Sequence, residues 1–194
     1  MSHPVLIAVD TGAGDLAGVD HVVHRLLEVV GRLPDTVAST HVVAGHHAVA
    51  LSWTAETSPD PAALGGTLVS AYVGSGVVAD VDGHRREAGP SDLLDGALEA
   101  AARHADRASG RLVEFPGRPG IERRLSVAEV VASSCVEDVV GLAGTVVTPE
   151  SVVDLTGFAR PTWADGRCTL LVQTGASGLI PFEVAQQLAC CSHH

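Results

Sequence analysis

Apolar residues in the first part of the chain alternate between short unbroken runs and spaced stripes, a pattern that predicts strands and helices in turn. Val5 to Val9 is an unbroken apolar run closed by Asp10 and a glycine-rich turn, the signature of a buried strand. From Val19 the apolar positions fall at Val19, Val22, Val23, Leu26, Leu27, Val30 and Leu33, one face of a 3.6-residue period, with His21, His24, Arg25 and Glu28 on the other face. Gly31 suits the left-handed position after that helix, and Pro34 prevents its continuation. Val37 to Ala44 and Ala48 to Thr54 are β-rich runs separated by Gly45-His46-His47, which predicts a hairpin. Asp60-Pro61 supplies an N-cap and a first-turn proline for a helix carrying Leu64, Leu68, Ala71 and Tyr72, stopped by Gly74 and Gly76. Val77 to Val81 is a further strand, closed by Asp82-Gly83.

The order strand, helix, strand, strand, helix, strand over residues 4–83 is the split βαβ order of ferredoxin-like units, expected here over residues 1–88. Ser91 is read as the cap of a third helix with Leu94, Ala97, Leu98, Ala101 and Ala105 on one face, ending near Gly110 and linking two halves over residues 89–111. Phe115-Pro116-Gly117-Arg118-Pro119-Gly120 is the strongest break in the chain and is expected to exclude regular structure. Beyond it, Ser126 and Glu129 match a capping box for a short helix from about Val127 to Ser134. Strand-like stretches follow at Leu142 to Val147, Val152 to Arg160, Cys168 to Thr174 and Leu179 to Val184, with Asp165-Gly166 as a hairpin turn. The fold class expected is therefore α+β, a ferredoxin-like N-terminal unit packed with a mostly-β C-terminal unit over residues 112–194.

Composition sharpens this picture in two places. The chain of 194 residues is 46% hydrophobic but only 3% aromatic, so its core must be built from Val, Ala and Leu, and no disulfide or metal is required for folding at that length. All twelve basic residues are Arg, and the chain has neither Lys nor Asn, a bias pointing to a high-GC bacterial genome. Without lysine, PLP chemistry through a Schiff base and a P-loop nucleotide site are excluded. The formal net charge of −11 and the absence of a basic stripe argue against nucleic acid. No run approaches a membrane span and Met1-Ser2-His3-Pro4 lacks signal-peptide character, so the expectation is a cytoplasmic protein with no membrane partner.

Candidate chemistry concentrates at the end of the chain. Cys190-Cys191-Ser192-His193-His194 offers two thiolates and two imidazoles within five residues, ligand types that suit Zn or Cu(I). Cys135 or Cys168 is the natural source of a further ligand, because adjacent residues of an extended chain point to opposite sides. Cys135 followed by Thr145-Val146-Val147-Thr148-Pro149, and later by Cys190-Cys191-Ser192-His193, resembles the C-terminal half of organomercurial lyases over at most the last third of the chain. The resemblance implies thiol chemistry at a carbon–mercury bond. That family's Trp-Cys pair with a following aspartate is missing, since neither Trp53 nor Trp163 precedes a cysteine. A second candidate metal cluster is His21 and His24, at i, i+3 on the polar helix face, with His46 and His47 in the hairpin. Gly12 to Gly18 lies between a strand and a helix, where backbone amides can hold a phosphate, although Asp10 and Asp15 place negative charge beside it.

The leading expectation is a soluble protein whose Cys/His site handles a soft or borderline metal or uses it with a thiol in catalysis. The competing expectations are a small-molecule-binding or assembly module, for which a homodimer through the sheet would fit, and a cofactor-free enzyme using His and Asp as acid and base.

Overall fold

The computed structural model describes residues 2–184 apart from Arg32, Pro34 and Ser177. It is a mixed α+β structure in which five helices accompany a large sheet among the described residues. The chain divides into two compact units, Met1–Pro116 with Thr162–Cys168, and Gly117–Pro161 with the residues from Thr169.

In the first unit, β1 (His3–Ala13), α1 (Leu16–Val30), β2 (Val37–Val43), β3 (His46–Ala55), α2 (Pro61–Ala71), β4 (Gly76–Val81), β5 (His84–Ala88), α3 (Ser91–Ala105) and β6 (Ser109–Glu114) follow in order. The strands pair in the order β5-β4-β1-β3-β2-β6, each neighbour antiparallel. Strand alternation divides the core between the two faces of the sheet. Val5, Ile7 and Val9 of β1, Val49 and Leu51 of β3 and Val77 of β4 meet Val19, Val23, Leu26 and Leu27 of α1 and Leu68 of α2. The intervening positions Ala8, Ala50 and Val78 meet Ala97, Ala100 and Ala101 of α3 on the opposite face. Small residues on both sides let α3 lie close to the sheet, as the shortage of aromatic residues requires.

Several local signals act as expected and others do not. Asp60 caps α2 through the Ala62 N–H with Pro61 in the first turn, and Gly31 ends α1 at φ 84°. The β2–β3 turn is Ala44-Gly45, at φ 46° and 88°, so His46 and His47 belong to β3 and not to the turn. Asp82-Gly83, at φ 53° and 79°, leads into β5, a strand absent from the sequence reading because His84-Arg85-Arg86-Glu87 has no apolar alternation. Ser91 is the first helical residue of α3; the cap position belongs to Pro90, whose fixed φ of −59° with extended ψ prepares the turn without a side-chain bond. The helix ends at Ala105, short of Gly110, and packs along the first-unit sheet.

The second unit contains α4 (Arg118–Ile121), β7 (Arg124–Ser126), α5 (Val127–Ser133), β8 (Asp138–Gly141), β9 (Val152–Asp154), the main part of β11 (Arg167–Gly175) and β12 (Gly178–Pro181). The strand β10 (Thr162–Ala164) lies between β9 and β11 in the chain but belongs to the first unit, where it pairs with β6. Both halves of the Ser126/Glu129 capping box form. The Phe115–Gly120 break is less complete than its composition predicts, because Gly117 at φ 86° turns the chain into the short helix α4 with Pro119 in its first turn. Leu142 to Val147 is not a strand: β8 precedes it, and the chain turns at Ala143-Gly144, at φ 52° and 77°. Val152 to Arg160 keeps only a three-residue strand before a turn at Thr156-Gly157, with Gly157 at φ 71°.

Candidate functional site

On the α3 face of the first-unit sheet, four polar side chains form a continuous string. Alternation in β2 turns Ser39 and His41 toward α3, and Ser52 of β3 faces the same way. The apolar stripe of α3 at Ala97, Ala100 and Ala101 continues one turn on to His104, which is only 3% exposed. His104 Nδ1 lies 2.6 Å from Ser39 Oγ and its Nε2 lies 2.8 Å from Ser52 Oγ. Ser39 Oγ also lies 2.7 Å from His41 Nε2. The string thus runs Ser52, His104, Ser39, His41, and it ends on His41 Nδ1, a buried nitrogen with no hydrogen-bond partner among the described residues. Burial, aided by the neighbouring His41 ring and Arg107, lowers His104 to about 3. Burial and Arg103 lower His41 to about 4. Both imidazoles are therefore neutral at pH 7, when each ring carries one N–H and one lone pair.

This string opens on a cleft of about 630 Å³ within the first unit, where Ser52, His104, Trp53, Trp163, Pro4 and Arg107 are among the lining residues. Trp163 meets the His104 ring edge-on at a centroid distance of 5.0 Å, and the Arg107 guanidinium lies 5.7 Å from the Trp163 ring centroid. The remaining charges of the wall are engaged. Arg85 pairs with Asp80 at 3.1 Å, and the Asp35 carboxylate accepts the Thr54 N–H at 2.8 Å. Arg107 forms no ion pair or hydrogen bond with a described carboxylate. A second crevice of about 240 Å³, lined by Ala62, Gly65, Gly66, Val69 and Arg86 among others, is smaller and has no buried polar group in its wall.

At the other end of the same face, the fully buried Asp10 accepts the Gly12 N–H at 2.8 Å and lies 2.7 Å from His46 Nε2. Only glycine fits at Gly96 on the facing turn of α3, since a Cβ there would stand 1.9 Å from Asp10 Oδ2. Of the second histidine cluster, the structure therefore brings His46 to Asp10, while His21 and His24 stand exposed on α1 and Asp20 forms a bidentate pair with Arg111. In the glycine-rich segment, β1 runs to Ala13 and the Asp15 carboxylate takes the Gly18 N–H at 2.7 Å, occupying the helix-start amide that a phosphate would need. Cys135 is half-buried after α5 and Cys168 is buried in β11, whereas Cys190, Cys191, His193 and His194 lie outside the described residues. Among the described residues no three His, Cys, Asp or Glu side chains gather as metal ligands.

The sequence reading did not single out Ser39, His41, Ser52, His104 or Trp163. Two signals were present: Ser39 and His41 occupy alternate positions of a strand that is apolar apart from them and Thr40, and His104 continues a small-residue stripe seven positions after Ala97. Comparison with protein families, curated proteins and solved structures finds no match for this chain.

Proposed function

We propose that the first unit is a ferredoxin-like module that binds a small organic molecule in the cleft beside Ser52 and His104. One observation carries the reading: a buried serine–histidine string opens, at Ser52 and His104, on a cleft whose wall includes the Trp163 indole, 5.0 Å from the His104 ring between centroids. A mostly apolar concavity of this size with a few convergent polar groups, one strongly shifted from its ordinary pKa, is the usual form of a ligand site. The antiparallel strand order β4-β1-β3-β2, with α1 and α2 sharing one face, supports the ferredoxin-like reading. A fragment library screened by ligand-observed NMR tests the proposal, alongside Thr54→Phe, which fills the mouth of the cleft from an exposed position. Fragments that bind the wild-type protein and are lost in the variant, at unchanged thermal stability, are the expected result. Hits that bind both proteins equally, or none at all, would remove the cleft from consideration.

An independent proposal rests on ligand type in the sequence alone: Cys190, Cys191 and a histidine of the tail, with Cys135, hold Zn or Cu(I) in a cytoplasmic setting. Mass spectrometry of anaerobically purified protein should find near-stoichiometric metal that disappears on changing Cys190 and Cys191 to alanine. Metal-free wild-type protein would end that proposal.

A further inference from the structure

Ser39 has a single hydroxyl hydrogen and stands between two imidazole nitrogens, 2.6 Å from His104 Nδ1 and 2.7 Å from His41 Nε2. It can donate to only one of them, so the other must donate to it. Both rings are neutral at pH 7, and this constraint locks their tautomers together. When Ser39 donates to His104, both rings carry their proton on Nε2; when Ser39 donates to His41, both carry it on Nδ1. The two arrangements differ at the ends of the string. The Nδ1–H arrangement buries an unpartnered N–H at His41, whereas the Nε2–H arrangement leaves only a lone pair there. Buried orphan N–H groups are the rarer and costlier case, so the Nε2–H arrangement is the resting one. His104 Nε2–H then donates to Ser52 Oγ at 2.8 Å, and the hydrogen of Ser52 is left for the cleft.

The cleft therefore presents two donors with no acceptor among the described residues of the first unit. One is the Ser52 hydroxyl, held in place from behind by His104. The other is Arg107, whose guanidinium sits over Trp163 and meets no described carboxylate, although the chain carries 23 acidic residues. The other charges of the wall, Asp35, Asp80 and Arg85, are already engaged with Thr54 N–H or with each other. From these groups we infer that the cleft selects a small organic carboxylate, its oxygens accepting from Ser52 and Arg107 and its apolar body lying against Trp163. An arginine fork matches a planar carboxylate, and such charge-assisted bonds are stronger than neutral ones.

The inference rests on the cleft being a ligand site, and the test separates the two. Titrations use a panel of aromatic and short aliphatic carboxylates, each beside its corresponding primary alcohol, read by tryptophan emission, with Trp163 as the reporter in the cleft wall. The expected result is that carboxylates bind at least about tenfold more tightly than their alcohols, and that Arg107→Gln removes this preference. Alcohols binding as tightly as carboxylates would overturn the ligand class and leave the cleft reading standing. No change in emission with any compound would overturn both. A second measurement needs no variant: the ring nitrogens of ¹⁵N-histidine-labelled protein at pH 7 should show His41 and His104 both in the Nε2–H form. An Nδ1–H form at either ring would overturn the donor role given to Ser52.

Discussion

Ser39 and Ser52 give His104 two hydroxyl partners, but no carboxylate among the described residues compensates a positive charge on His104 or His41, and this makes stability depend on pH in a defined window. In the unfolded chain both imidazoles take up a proton near pH 6.5, whereas in the folded protein they do so only near pH 3 and pH 4. Between those values the unfolded state binds more protons, so stability is complete above about pH 7 and falls as the pH is lowered through 6.5 toward 4. Each histidine contributes a slope of up to about 1.4 kcal/mol per pH unit. His41→Gln, which keeps a hydrogen-bonding partner for Ser39, should lose markedly less stability between pH 7 and pH 5 than the wild-type protein, measured by urea unfolding at both values. Equal losses would show that these rings do not govern the acid limb. The backbone next to His41 is tuned as closely: Gly110 sits at φ 142°, and a Cβ there would meet His41 Cε1 at 2.7 Å and neighbour both ring nitrogens. Gly110→Ala should cost on the order of 2 kcal/mol, from backbone strain and displacement of the ring. The same midpoint measurement at pH 7 checks it. These residues were hard to single out from sequence because a polar residue on a buried stripe looks like a pattern fault until its partner is known, and Ser39 and His104 lie 65 positions apart.

At the scale of elements, signals that act within a few residues were legible. The Ser126/Glu129 box, the Asp60-Pro61 start and the Asp82-Gly83 turn each specify their own geometry with atoms at hand. Elements decided by long-range pairing were not. The strand β5 is polar in its first four residues and exists because the preceding turn returns the chain antiparallel to β4, with Arg85 opposite Asp80. Leu142 to Val147 has the composition of a strand but contains the turn at Ala143-Gly144 and finds no ladder. The β2–β3 hairpin shows the remaining strain. Its two-residue turn needs positive φ at both positions, and Ala44 adopts 46° although alanine gains nothing there. Ala44→Asn should therefore stabilise the protein by about 0.5–1 kcal/mol, since asparagine tolerates the left-handed region better. Ala44 is exposed, so no packing change competes with the turn effect. A Tm unchanged or lowered in the variant would contradict this account of the turn.

At the scale of the whole molecule, the first unit is discontinuous in sequence, and the cleft beside Ser52 and His104 depends on the late segment. Residues 162–164 pair with β6 through Thr162 opposite Arg111, Trp163 opposite Gly110 and Ala164 opposite Ser109. The Asp165 and Gly166 amides extend the contact to the Ala108 and Arg107 carbonyls. This segment carries the indole that meets His104 and Arg107, so the cleft lacks a wall until the chain has been made past Trp163. Pairing over so many intervening residues carries a loop-closure cost and is expected late in folding. A linear reading of hydrophobic runs holds no signal for it, because Thr162 to Ala164 is short and its partner lies about fifty residues upstream. Two shortened chains test the dependence. Residues 1–116 alone keep α1, α2, α3 and the strands from β1 to β6 but expose the edge of β6 and remove Trp163, a loss worth about 3–5 kcal/mol if it matches the deletion of a buried tryptophan. Joining residues 161–169 to that chain through a short glycine-rich linker restores the β6–β10 pairing without the second unit. The linked chain should be the more stable in urea by that margin and should alone retain the carboxylate-dependent change in tryptophan emission. Equal stability of the two chains would mean that residues 162–168 add nothing to the first unit, and the cleft would then have to be drawn without Trp163.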